Sequence, residues 1–409
     1  MDLLEKAEKA LEYGLCDNCL GRLFARLGHG LTNEERGHAV RVYLAMDDDI
    51  SIQHEPDDCS VCHGLCKEFS DLANIIVDEL KDLEFRTFLV GSRVDPEIEE
   101  AEEQIWADLD IDTSSPIKSE INREVGKLVD EILEAEVDLE IPDVKAIIDT
   151  RFDTVDVEVA PIFIYGRYRK LSREIPQTQW YCNRCRGTGC AHCEGEGKMY
   201  PTSVEEIIAE PLLDFTHGEK ATLHGMGRED IDALMLGNGR PFVIEVKKPI
   251  IRNVDLQELK HAVNKDGRVE IDRLRISERK EIEKIKSLQP DKSYKVTVRI
   301  KDKVDSITFN KVIESLNQTK ISQRTPMRVS HRRADKVRKR VIYDIALLNL
   351  ENGEAEISIR CQAGTYVKEF VHGDQGRTEP SLASKLGTEC SVLYLDVLDV
   401  HYEEKDVVK

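Results

Sequence analysis

Eight of the eleven cysteines in this chain stand in four Cys-x-x-Cys pairs: Cys16/Cys19, Cys59/Cys62, Cys182/Cys185 and Cys190/Cys193. A turn of this spacing presents two thiolates to one tetrahedral ion, and two such turns close a structural zinc site. The N-terminal run Met1-Asp-Leu-Leu-Glu-Lys-Ala-Glu-Lys alternates charged and apolar residues and lacks a signal peptide's apolar region. No stretch approaches the ~18–20 uninterrupted apolar residues of a membrane-spanning helix. A soluble, cytoplasmic protein is therefore expected, and there the pairs read as metal knuckles rather than disulfides. Cys16, Cys19, Cys59 and Cys62 make up one expected zinc site, with Cys66 either a spare thiol or an alternative ligand. Cys182, Cys185, Cys190 and Cys193 make up a second, whose glycines supply tight turns. Four thiolates leave no open coordination position, so neither site is expected to do chemistry. Cys361 and Cys390 lie in apolar, strand-like runs and are expected to be buried hydrophobes.

The knuckles divide the chain. Residues 1–70 look helical and contain the first set. Residues 71–160 alternate helix and strand, with an amphipathic helix over Leu72–Leu83, a strand over Phe85–Val90 and a helix over Ile121–Leu133. From 161 to 409, strands at Phe242–Val246, Tyr294–Ile300, Val341–Leu348 and Ser391–Leu398 mix with helices near 254–264, 277–287 and 309–317. The regular βα alternation of a parallel sheet is missing, so an α+β fold around a mixed, largely antiparallel sheet is expected.

Charge follows the same division. The 409 residues carry a formal charge of −21, which by itself argues against a partner with a phosphate backbone. Residues 1–160 hold 15 basic and 41 acidic side chains, a net of −26, whereas residues 161–409 are net +5. Part of the acidity lies on helical faces such as Glu97–Glu103. Within the second segment, Arg324, Arg328, Arg332, Arg333, Lys336, Arg338, Lys339 and Arg340 fall inside seventeen residues, offset only by Asp335.

Three stretches carry chemical interest. In His224-Gly-Met-Gly-Arg-Glu-Asp-Ile-Asp232, a glycine-rich loop presents Arg228 two residues before Asp230, and a nearby cation favours a carboxylate's charged form. In Tyr165-Gly-Arg167-Tyr-Arg169-Lys170-Leu-Ser-Arg173, with Trp180 beyond, cations and aromatics interleave as RNA-contacting surfaces require. Gly364-Thr-Tyr-Val-Lys368 reads as a strand-to-helix turn from which Lys368 projects. Two other functions are compatible with the residues. Asp232, Glu245 and Lys247 form a D-x12-E-x-K pattern of the kind used by Mg²⁺-dependent nucleases. A non-catalytic, zinc-stabilised RNA-binding module is the third reading.

The run from Gly166 to Lys198, the Gly227-Arg-Glu-Asp-Ile-Asp loop with Gly237-Asn-Gly-Arg-Pro-Phe, Gln323-Arg-Thr-Pro-Met-Arg-Val-Ser-His-Arg-Arg-Ala-Asp, and Gly364-Thr-Tyr-Val-Lys-Glu-Phe occur in that order. Together they closely resemble the archaeal-type tRNA pseudouridine synthases that act on positions 54 and 55, over most of the chain. The resemblance implies a zinc-bearing accessory segment at 1–70, a THUMP-containing RNA-binding region at 71–160 and a pseudouridine synthase catalytic domain at 161–409. It makes Asp230 the catalytic carboxylate, Lys368 its basic partner with Val367 beside it as a substrate contact, Tyr294 the catalytic tyrosine that stacks on the target base and helps move a proton, and Leu395 a substrate contact closing the pocket. Arg228, Arg167, Arg169 and Lys170 are implied substrate contacts. Arg324, Arg328, Arg332 and Arg333 are implied to grip the tRNA T-loop or elbow from a thumb loop at about 320–340. No organic cofactor and no obligate protein partner are implied. The chain departs from the family pattern Asp-x-Arg-Met-Leu-Gly by placing Leu234 where an arginine is usual. Without the resemblance, Tyr294 and Leu395 would read as core residues and Lys368 as a surface lysine.

Overall fold

The structure is a computed structural model that describes residues 3–331 and 333–402. The chain forms two compact units, residues 1–161 with 248–252, and residues 162–247 with 253–409.

The first unit begins with α1 (Leu3–Leu11), α2 (Asp17–Leu23) and α3 (Asn33–Asp47). α2 and α3 cross at backbone contact: a Cβ on Gly21 would lie 1.8 Å from the Asn33 carbonyl oxygen, and one on Gly37 would lie 1.9 Å from that of Asp17. Only glycine permits this approach. α3 starts in a capping box, with Thr32 and Glu35 each accepting the other's backbone N–H. There follow α4 (Phe69–Leu80), β1 (Thr87–Arg93), α5 (Pro96–Leu109), α6 (Ile117–Leu133), β2 (Glu136–Val137), β3 (Val144–Asp149) and β4 (Thr154–Val159). The four strands form one sheet in the order β2-β1-β3-β4, with β1 parallel to both neighbours and β3 antiparallel to β4. α6 buries Ile117, Ile121, Val125 and Val129, one residue every fourth position, as a core-facing helix must.

The second unit runs through β5 (Ile162–Lys170), α7 (Val204–Thr216), β6 (Lys220–Gly225), β7 (Met235–Lys247), α8 (Leu256–Asn264), β8 (Val269–Ser277), α9 (Arg279–Ser287) and β9 (Lys292–Ile300). It continues through α10 (Ser306–Leu316), β10 (Thr319–Arg324), β11 (Val337–Glu351), β12 (Glu354–Cys361), α11 (Val367–His372), β13 (Thr378–Glu379), α12 (Leu382–Leu386) and β14 (Cys390–Val400). Its ten described strands form one mixed sheet, ordered β13-β10-β11-β12-β9-β14-β7-β5-β8 with β6 added on β7. All pairings are antiparallel except the short one of β14 with β7. β12 alternates strictly and buries Ala355, Ile357, Ile359 and Cys361. Cys390 is buried as well. One apolar cluster covers the β5, β7 and β8 end, another the β9 to β12 end, and Tyr294 packs against both. None of the described helices is long and apolar enough to cross a membrane.

Candidate active site and metal centres

Asp230 lies in the loop between β6 and β7, and Lys368 lies in the first turn of α11. The structure brings them together: Lys368 Nζ is 3.0 Å from Asp230 Oδ2 and 3.8 Å from Asp232 Oδ2. Both carboxylates are more than half exposed, while the lysine is three-quarters covered. The lysine's turn is held by Gln323, a buried side chain of β10. Gln323 donates from Nε2 to the Tyr366 carbonyl at 2.9 Å and accepts the Tyr366 N–H at 2.9 Å.

Tyr294, in β9, pairs with Ile359 of β12 and Val397 of β14. Burial pushes its phenol well above the ordinary range, with the Cys361 thiol and the Asp230 carboxylate adding to the rise and Arg240 opposing it. Leu395, opposite Val296 on the β9/β14 pair, packs partly buried against the second cluster. Arg228 lies over the Trp180 ring, 5.0 Å from its centroid, and Trp180 packs edge-on against Tyr200. Such stacking holds a cation next to an aromatic face while leaving the guanidinium edge open.

The thumb segment folds onto the same turn. Arg328 Nε donates to Glu369 Oε1 at 2.7 Å and Arg333 Nη1 donates to the Tyr366 hydroxyl at 3.1 Å. Arg324 is neutralised by Asp335, with Nε–Oδ2 at 2.9 Å. Arg332 lies outside the described residues.

Three expected substrate contacts are corrected. Arg167 is 3% exposed and donates to the carbonyls of Gly239 and Tyr402. Lys170 is fully buried and donates to those of Ser172, Ile175 and Ile231 at 3.0, 3.1 and 2.6 Å. β5 is covered on both faces, so Arg167 and Lys170 point into the protein. Val367 is a core residue that anchors α11. Arg169 is partly exposed and pairs with Glu270, Nε–Oε2 2.8 Å.

The nuclease pattern does not assemble. Met235 and Glu245 pair with Lys170 and Phe163 of β5, seven residues and therefore roughly 23 Å apart along that strand. Asp232 is at the Lys368 end, whereas Glu245 faces His224 Nε2 at 3.2 Å.

Sequence reasoning passed over the groups that carry the loop. Glu229 and Arg240 form an ion pair at 2.8 Å with both side chains 1% exposed. Arg173 grips Asp396 in bidentate fashion at 2.6 and 2.8 Å, and Asp396 accepts the Leu234 N–H at 3.0 Å. A cation thus stands at this edge of the loop although Leu234 is not one. The available signal was Arg173's position at the end of the basic stretch.

Among the described residues, two groups of four thiols can hold a metal. Cys182, Cys185, Cys190 and Cys193 come together as expected, with Sγ–Sγ distances of 3.9, 3.7 and 3.7 Å among the measured pairs. The edge of a tetrahedron built on a Zn–S bond of ~2.3 Å is ~3.8 Å, so the spacing suits such an ion. The first group draws in Cys66, the alternative ligand: the thiols of Cys16, Cys19, Cys62 and Cys66 lie mutually within 4.8 Å. His63 and Gly64 adopt left-handed conformations, φ 48° and 92°, and a one-turn 3-10 helix over Leu65–Lys67 returns Cys66 to Cys62. The Cys59 thiol lies against Cys16, Cys19 and Cys62 and accepts the Cys16 N–H at 3.3 Å.

Comparison with known proteins agrees with this geometry. Residues 163–401 match the family described as "Pus10, C-terminal", and residues 72–149 match "Pus10 THUMP domain, archaeal". The chain is 44% identical to the tRNA pseudouridine synthase Pus10 of Halorubrum lacusprofundi, over 99% of this chain and 98% of that one. It is 40% identical to the protein of the same name from Methanopyrus kandleri, over 97% and 98%. The Pyrococcus furiosus protein of that name is 39% identical, over 97% and 98%. On this coverage of both units, the chain belongs to the Pus10 family of pseudouridine synthases.

Proposed function

We propose that the chain isomerises uridine to pseudouridine at positions 54 and 55 in the T-loop of tRNA, with Asp230 as the catalytic carboxylate. The reading is carried by the Asp230–Lys368 contact of 3.0 Å, which joins two distant motifs at an exposed loop beside the deeply set Tyr294. The reaction breaks the N1–C1′ bond and forms a C5–C1′ bond; a proton leaves C5 and one is gained at N1. No electron is transferred, and no energy source is needed. An ionised Asp230 can attack C1′ or C6, or remove a ribose proton, and Lys368 neutralises it while leaving one oxygen open. Extruding the target base from its stack costs a few kcal/mol, which stacking on Tyr294 offsets in part. Arg228, Leu395 and the thumb arginines Arg324, Arg328 and Arg333 would bound the substrate. In this reading the protein acts on tRNA in the cytoplasm.

Both thiol groups take zinc in this reading, as closed structural sites, with Cys16, Cys19, Cys62 and Cys66 holding one ion and Cys182, Cys185, Cys190 and Cys193 the other. The residues before 71 form the zinc-bearing segment, those at 71–160 the RNA-binding region, and those from 161 the catalytic domain. The test is digestion and chromatography of uridine-labelled tRNA transcripts after incubation with the protein, scoring 54 and 55 separately. Pseudouridine formed by the wild type and lost in Asp230→Ala is the expected result. Undiminished isomerisation by Asp230→Ala removes the site assignment.

A further inference from the structure

Between Gly225 and Met235 the chain has no helix or strand of its own, yet the loop is fastened at both ends by side chains from elsewhere. The Met226 carbonyl accepts from Arg240 Nη1 at 2.7 Å and the Gly227 carbonyl from Gln177 Nε2 at 2.9 Å. Beyond Asp230, the Ile231 carbonyl accepts from Lys170 Nζ at 2.6 Å and the Asp232 carbonyl from Arg173 Nη1 at 2.8 Å. Between the two anchors, Glu229 turns inward. Its carboxylate is paired with Arg240 at 2.8 Å, and the Tyr168 hydroxyl lies 2.9 Å from both of its oxygens. Gln177 Nε2 also donates to the Tyr168 oxygen at 2.8 Å, which closes the network.

Stability alone does not account for this arrangement. Desolvating two charges is expensive, and well-packed apolar residues often replace a buried ion pair without loss. What an ion pair adds is a single acceptable register: sliding the loop by one residue would leave both charges buried and unpaired. Glu229 immediately precedes Asp230, so fixing the one fixes where the other leaves the loop. Arg240 reaches further, since its charge also acts on Tyr294 and Lys292. A Cβ on Gly227 would sit 3.2 Å from Arg240 Nη1 and 3.8 Å from Lys292 Nζ, so the loop rests directly on this cation.

We infer that Glu229 and Arg240 are positioning residues for the isomerisation, with Tyr168 and Gln177 completing the clamp that holds Asp230 toward Lys368. The inference rests on the reading of Asp230 as the catalytic carboxylate. A displacement of about 1 Å at a reacting group costs on the order of 100-fold in rate. Glu229→Gln keeps the side chain's shape and removes its charge. Single-turnover isomerisation of uridine-labelled tRNA transcript by this variant is expected to fall about 100-fold. The dissociation constant for the same transcript should stay within about threefold, because no RNA contact is lost. Both are measured at a temperature where circular dichroism shows the variant folded. A purely structural role would lower the melting temperature and leave the rate of folded protein unchanged.

A folded Glu229→Gln that turns over within threefold of wild type, or that loses affinity in place of rate, overturns the inference. Should Glu229→Gln not fold, Gln177→Ala removes only the donor to Gly227 and Tyr168. About a tenfold loss of rate at unchanged affinity then supports the clamp, and a rate within threefold of wild type overturns it. Wild type and Asp230→Ala are run alongside. A wild type without activity, or an active Asp230→Ala, shows that the underlying reading has failed and takes the inference down with it.

Discussion

Replacing Gly237 by alanine tests the packing that joins the Asp230 loop to the sheet. Gly237 has φ +57°, where a Cβ costs about 1–2 kcal/mol. The added atom would also lie 1.8 Å from the Leu398 carbonyl oxygen, whereas ordinary contact begins at 3.4 Å. β7 and β14 must therefore part by most of that difference. The parting acts directly on the Met235–Val397 pairing and on the 2.9 Å hydrogen bond from Val397 N–H to the Leu234 carbonyl. Overpacking of this kind adds about 1–3 kcal/mol, for a total of about 2–5 kcal/mol. Gly267 supplies the control: it has φ +79° and nothing within 4 Å of its added Cβ, so Gly267→Ala bears the conformational cost alone. Urea denaturation of both variants gives the difference in stability. Hydrogen exchange read by mass spectrometry should show faster opening confined to β7 and β14 in Gly237→Ala. Equal losses in the two variants, within about 0.5 kcal/mol, would refute the steric argument.

Metal analysis of the purified protein should give two zinc ions per chain, falling to one in Cys66→Ser and remaining two in Cys59→Ser; the reverse pattern would restore Cys59 as the ligand. Lys170 provides a pH signature. Burial pushes its ammonium down to about 8 from 10.5, against the opposing pull of Glu229, Asp232 and Asp396 and with Arg173 adding to the fall. Between those values the unfolded chain binds more protons than the folded one, so stability rises with pH. Relative to Lys170→Met, the wild type should gain about 3 kcal/mol between pH 8 and 10.5, with no such change below pH 8, as read from urea midpoints across that range. In the first unit, Lys118 and Lys145 line the cavity between β1 and α6. Each change to alanine should weaken tRNA binding and reduce the slope of log affinity against log salt by about 1, as a lost phosphate contact does. An unchanged slope places the RNA elsewhere.

Where local pattern and burial agreed, the fold was legible. The alternation of β12 and the fourfold spacing in α6 each reflect one face meeting one core. Elements with a conflicting signal were missed. α7 contains Pro211, which removes a helical hydrogen bond, and only its Ser203 cap and the buried Val204, Ile208 and Leu212 outweigh that cost. The amphipathic helix expected over Leu72–Leu83 begins earlier, at Phe69, because the preceding 3-10 turn feeds directly into it. The contact of Asp230 with Lys368 was legible because their motifs are long enough to carry the family resemblance. Lys170 was misread because a lysine saturated by three carbonyls has the same sequence appearance as one facing phosphate. Glu229 was passed over for the converse reason: among Arg228, Asp230 and Asp232 it looks like one more solvated charge, and only three-dimensional burial separates it from them.

The same distinction bears on the charge of the first unit. Counting residues treats every carboxylate as surface, yet Glu102, within the acidic run of α5, pairs with buried Arg22 and caps the α6 N-terminus at the Ile117 N–H. Asp17 similarly serves Arg41, and Glu120 serves Asn33 and Arg123. Burial in residues 3–160 removes Arg22, Arg36 and Arg41 together with Asp17, Glu102, Glu120 and Asp149. The acidic excess at the surface is therefore nearly the full value, so its average cannot attract RNA. Five of the remaining cations, Arg93, Lys118, Arg123, Lys127 and Lys145, line one cavity, where Arg93 pairs with Asp156, Arg123 with Glu120 and Glu124, Lys127 with Glu124 and Lys145 with Glu158. Charges more than about 8 Å apart are screened at physiological salt, so a phosphate at this cavity senses these cations with their carboxylate partners, a near-balanced set, rather than the unit's acidic sum. An acidic surface relieved at a concavity where cations gather restricts where RNA can dock, which orients a substrate more sharply than a uniformly basic surface would.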